Sequence, residues 1–73
     1  MTSNYDITIS SPPDRERLVA EILFDGVQWA EVNQEKETLE VEFYARPDGT
    51  PWRVPLDVAV GALSDARAKL VGA

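Results

Sequence analysis

From Thr38 to Ala45 apolar and polar side chains alternate one for one: Leu39, Val41, Phe43 and Ala45 on one side of an extended chain, Thr38, Glu40, Glu42 and Tyr44 on the other. A period of two is the mark of a strand with one buried face. Tyr5, Ile7 and Ile9 alternate in the same way with Asp6, Thr8 and Ser10, which predicts a short first strand. Ser11-Pro12-Pro13-Asp14 ends it, because successive prolines offer no N–H to a ladder. Residues 1–4 ahead of it read as a loose tail.

Residues 14–24 admit two readings. Leu18, Val19, Ile22 and Leu23 recur at helical spacing after Ser11-Pro12, which suits a capped helix ending before Gly26. Against this, Leu18 to Phe24 is dense in apolar residues and Asp25-Gly26 follows at once. Asp-Gly between two apolar runs is a strong hairpin signal, since both residues tolerate the positive φ of a tight turn. The hairpin is the preferred reading.

Turn lengths then set an expected register. A two-residue loop at Asp25-Gly26 puts Phe24 opposite Val27, Ile22 opposite Trp29 and Val19 opposite Val32. A four-residue loop at Gln34-Glu35-Lys36-Glu37 puts Val32 opposite Leu39 and Ala30 opposite Val41. A turn at Pro47-Asp48-Gly49-Thr50 puts Ala45 opposite Trp52, Phe43 opposite Val54 and Val41 opposite Leu56. One face is expected to collect Val19, Leu23, Ala30, Val32, Leu39, Val41, Phe43, Ala45, Trp52, Val54 and Leu56, with no charge among them. The last segment reads as a helix with Asp57 as N-cap, an inner face of Ala59, Ala62, Leu63, Ala66 and Leu70, and Gly72 as its stop. Its small side chains, with Gly61, suit a close approach to the sheet. The expected fold is α+β: an antiparallel β-meander of four to five strands in chain order, with one C-terminal α-helix packed on one face. Residues 1–73 form a single small domain.

The opposite sheet face then carries Leu18, Ala20, Ile22, Phe24, Val27, Trp29 and Tyr44, with Glu31, Glu40, Glu42 and Arg53 among them. A single helix covers one face, so this second face is expected to be an interaction surface or to be covered by the first strand. An exposed apolar cluster rimmed by charge marks a binding site, and Trp and Tyr carry much of the energy at such sites. The candidate protein-binding residues are Ile22, Phe24, Trp29, Tyr44, Glu31, Glu40, Glu42 and Arg53, with a cation–π contact available between Tyr44 and Arg53. On this assignment Phe43→Ala costs about 3–5 kcal/mol as a core truncation. Trp29→Ala costs no more than about 1.5 kcal/mol in the monomer.

Composition narrows the chemistry. The 73 residues hold no Cys and no His, which removes disulfides, thiolate metal sites and the commonest general base. Three carboxylates on one face invite a hard cation, but no loop has the Asp/Asn/Gly spacing of a dedicated site, so a solvated face is expected. No serine has a recognisable base partner and no glycine run forms a phosphate loop. No enzyme activity, no cofactor and no metal are expected. Thirteen acidic against seven basic residues give a net charge of −6, which argues against nucleic acid as a partner. No run is long enough for a membrane span, no secretory start is seen, and a cytoplasmic location is the expectation.

The stretch from Leu18 to Gly26, then Gln28-Trp29-Ala30-Glu31, Leu39 to Phe43 and Arg46-Pro47-Asp48-Gly49, resembles small uncharacterised bacterial proteins with a β-meander and a C-terminal helix. Some of these are similar in size and acidity to immunity proteins of bacterial toxin systems. The resemblance implies the fold and assigns no binding residue. The functional expectation is a non-enzymatic protein-binding module, an acidic inhibitor or immunity-type protein. The alternative is a structural homodimer using the same face. The partner is another protein or a second copy, with no small-molecule ligand expected.

Overall fold

The computed structural model describes residues 5–72; the tail expected at residues 1–4 lies outside them, as does residue 73. Four strands, β1 (Tyr5–Ser10), β2 (Val19–Phe24), β3 (Val27–Asn33) and β4 (Glu40–Phe43), form one antiparallel sheet in the order β1-β2-β3-β4. Helix α1 (Leu56–Val71) packs against one face. This is the expected α+β meander. The hairpin reading of residues 14–24 holds for its second half: Asp25 and Gly26 have φ of 51° and 79°, so both central residues of the turn are left-handed, as a twisted two-residue hairpin requires.

The two expected faces of the sheet do not survive, and a β-bulge is the reason. Phe24 pairs with Val27 as expected, but the register shifts between Ile22 and Leu23, so that Ile22 pairs with Ala30 and Ala20 with Val32. Trp29 is the extra residue on β3. One inserted residue turns every later side chain to the other face. Ala20, Ile22 and Phe24 therefore share a face with Ala30 and Val32, and β1 adds Tyr5, Ile7 and Ile9 to it. The energetic reason sits at Glu21. In an unbroken register it shares with Val19 and Leu23 the face expected to be apolar. The bulge sets Glu21 opposite Glu31 on the polar side, where Ser10 Oγ and Gln28 Nε2 donate to its carboxylate at 2.5 and 2.7 Å.

The core lies between this single apolar face and α1. Ala62, Ala66 and Leu70 of the helix are buried against Ala20, Ile22, Phe24, Trp29, Ala30 and Val32. The alanine face of α1 acts as expected and brings the helix close to the sheet. Gly61 is not what permits this: a Cβ there meets only the Tyr5 hydroxyl, at 4.0 Å, an ordinary contact. The Tyr5 hydroxyl donates to Asp65, tying the first strand to the helix.

Two further expectations change. The loop after β3 is longer, so Val32 pairs with Val41 and Ala30 with Phe43, two residues along from the expected pairs. A shift of two keeps each side chain on its face. The loop is held from outside itself: the Glu35 carboxylate accepts the backbone N–H groups of Glu16 and Arg17, and Gln34 Nε2 donates to the Leu18 carbonyl. The expected fifth strand does not form. Pro51 and Pro55 bracket the three residues Trp52, Arg53 and Val54 and remove two ladder donors. Trp52 instead turns inward against Phe24 and donates its indole N–H to the Tyr44 carbonyl at 2.9 Å. The helix starts two residues earlier than an Asp57 cap would set. Pro55 precedes it with no side-chain cap, and Asp57 lies in the first turn, where a carboxylate suits the dipole.

Candidate functional site

Three of the eight candidate binding residues are core. Ile22 is fully buried, Trp29 is 7% exposed and Phe24 8%. Phe24 stands edge-on to Trp29 at 5.2 Å between ring centroids, and Trp29 edge-on to Phe43 at 5.5 Å. The aromatic half of the expected binding face is thus the inside of the protein. Of the other apolar residues expected there, Leu18 is exposed and Val27 half-buried. Leu23, expected in the core, is half-buried too and lines a shallow hollow with Val27, Tyr44 and Pro47 that has no charged side chain.

The polar half forms a network. Glu31 is 5% exposed and stands opposite Glu42 on β4. The Tyr44 hydroxyl donates to Glu31 Oε1 at 3.0 Å, and Arg15 Nη2 reaches both Glu31 Oε2 and Glu42 Oε1 at 2.9 Å. Arg15 comes from the irregular segment between β1 and β2, which it pins across the sheet. Burial alone would lower the guanidinium's pKa, but the charges of Glu31, Glu42 and Asp14 outweigh it and hold Arg15 above its usual value. Glu40 stands apart on Lys36, 3.6 Å away. The three candidate glutamates therefore do not converge, and among the described residues no cluster of acidic side chains is placed to hold a metal ion. Arg53 is exposed and makes no cation–π contact with Tyr44; the contact formed is Arg46 over Trp52, at 4.8 Å.

The phenols give the network a pH signature. Loss of water around Tyr44, together with its bond to Glu31, pushes its pKa up to about 12. The bond to Asp65 raises that of Tyr5 as well. A phenol raised in the folded state adds stability that is complete below its unfolded value, about 10. That stability is lost as pH climbs through the folded value. Stability to urea should therefore hold up to a pH of about 10 and fall above it. In the folded protein, phenolate absorbance should rise later than in the urea-unfolded chain. Coincident titration curves would show that neither bond forms.

The surface that sequence reasoning missed is at β4. Helix α1 lies over β1, β2 and β3 and does not extend over β4. Leu39, Val41 and Phe43, expected in the core, are 37%, 41% and 57% exposed. Between α1 and β4 runs an open groove of about 430 Å³, lined by Val32, Leu39, Val41 and Leu63, with Thr38, Glu40 and Arg67 at its rim. β4 is also an outer strand of the sheet. The signal for an apolar strip was present in the alternation of residues 38–45; which strand the helix would leave bare was not.

No family model, no curated protein and no solved structure matches the chain. No helix among the described residues is long and apolar enough to cross a membrane.

Proposed function

We propose that this is a non-enzymatic protein-binding module whose contact surface is the bare side of β4: Leu39, Val41 and Phe43, with Leu63 across the groove. The observation that carries the reading is the exposure of Phe43 beside a helix that stops short of it. A contiguous apolar strip rimmed by charge is costly to leave in water and is the usual form of an interaction surface. The Phe43 ring is already held against Trp29, so little side-chain freedom remains to be lost on binding.

The rest of the surface favours a basic partner. The chain carries a net charge of −6, and β4 itself carries Glu40 and Glu42, both exposed. Attraction of this kind speeds association and weakens as salt rises. An acidic inhibitor of a basic protein, the immunity-type role, is one form this takes. Selection from a displayed random-peptide library tests the reading without a known partner. Enriched peptides should bind the wild type, lose binding to Phe43→Asp, and keep it to Val71→Asp, an exposed apolar site on the helix far along the chain. Binding indifferent to Phe43→Asp removes the reading. Sedimentation of the free protein covers the competing occupant: a stable dimer abolished by Phe43→Asp would assign the strip to a second copy.

A further inference from the structure

The manner of binding can be read from the backbone of β4. Tyr44 N–H donates to the Trp29 carbonyl at 3.0 Å, so residue 44 points its amide toward β3. In an antiparallel pair successive residues point their polar groups alternately inward and outward. Glu42, opposite Glu31, therefore faces inward like Tyr44, and the N–H and C=O groups of Val41 and Phe43 face out from the sheet. Among the described residues no strand pairs with them on that side, because the segment expected there, residues 52–56, turns away. The same two residues whose side chains lie bare on the helix side thus also present unpaired backbone groups at the edge. Such an edge is a template for a further strand.

The partner's chemistry follows from the two faces. Side chains of an added strand opposite Val41 and Phe43 fall on the helix side, beside those residues and Leu39, and have to be apolar. Those opposite Glu40 and Glu42 fall on the polar side. There a hollow of about 400 Å³ is lined by Arg15, Asn33, Glu40, Val41 and Glu42. The single guanidinium of Arg15 serves both Glu31 and Glu42, so negative charge is left over for a cation. A second copy of this chain fits poorly. Antiparallel self-pairing centred on Glu40, Val41 or Glu42 sets glutamate opposite glutamate, and like charges directly opposite are destabilising. Within the sheet Arg15 relieves the Glu31–Glu42 pair, but it is already shared between those two. A register centred on Phe43 would need residues 44–46, beyond the end of β4.

We infer that β4 takes a basic partner segment as an added antiparallel strand, its residues alternating between apolar and Lys or Arg. The inference rests on the binding-module reading above and names that module's partner class. The test uses two capped peptides on the full chain, Lys-Val-Lys-Val-Lys and Glu-Val-Glu-Val-Glu, followed by amide hydrogen exchange. The lysine peptide should bind and the glutamate peptide should not, with affinity falling as salt rises. With the peptide at about ten times its Kd, exchange at the Val41 and Phe43 amides should slow about tenfold, the factor 1 + [L]/Kd. The Glu40→Lys/Glu42→Lys double variant should reverse the preference between the peptides. Unchanged exchange at Val41 and Phe43 under saturating peptide, no discrimination between the peptides, or no binding of either overturns the added strand. Should library-selected peptides still bind through Phe43 in that case, the binding module stands and only its mode is lost; should they also fail, both fall together.

Discussion

Trp29→Ala should leave the chain largely unfolded, and Phe43→Ala should leave it folded. Trp29 is the bulged residue of β3, buried between Phe24 and Phe43. Removing its indole forfeits the transfer free energy of the ring and leaves a cavity, a loss of about 3–5 kcal/mol. A single small core of this kind has about that much stability in total. Phe43 touches Trp29 but has more than half its surface in water. Its truncation should cost no more than about 1.5 kcal/mol. Urea melts of both variants at low protein concentration measure the order. A reversed order would put Trp29 back on the surface and Phe43 in the core, as the unbroken register required.

Glu31→Ala should cost about 2–3 kcal/mol, since it removes hydrogen bonds to a charged carboxylate from Tyr44 and Arg15. Glu42→Ala, at the exposed end of the same arginine, should stay within about 0.5 kcal/mol. Tyr44 reports the difference. In Glu31→Ala its pKa should fall, while remaining above that of a free phenol because desolvation is the larger cause of its rise. Thermal or urea melts joined to a phenol titration check both variants. Equal losses from the two glutamates would mean that burial of Glu31 confers nothing on the pair.

Local signals carried much of the fold. The period of two in residues 38–45, the Asp25-Gly26 turn and the alanine stripe of α1 each name their element from adjacent residues alone. The bulge carries no such mark. Val27-Gln28-Trp29-Ala30 contains neither Gly nor Pro, and the available hint lay on the other strand, where the charged Glu21 sits on the same face as Val19 and Leu23. Because one extra residue exchanges the faces of everything beyond it, that single omission moved Phe24, Trp29 and Ile22 from core to surface in the sequence reading. The candidate site was hidden by geometry of another kind. An α-helix is about 10–12 Å across, and strands lie about 4.8 Å apart. One helix therefore shelters two or three strands of four. Alternation says which side of β4 is apolar, but only the placement of α1 says that this side stays wet.

The order β1-β2-β3-β4 also bears on how the chain finds its shape. Each strand pairs with its neighbour in sequence across residues 11–18, 25–26 or 34–39, so every sheet contact closes a short loop. Closing a short loop sacrifices little chain entropy, and topologies built from such closures fold fast for all-sheet pairings. The long-range closures belong to α1, whose Asp65 meets Tyr5 from the far end of the chain. The sheet is the part that can assemble by zipping outward from Asp25-Gly26, while the helix has to travel back and cap it. Until it does, the apolar faces of β1, β2 and β3 are as bare as β4 remains in the finished molecule.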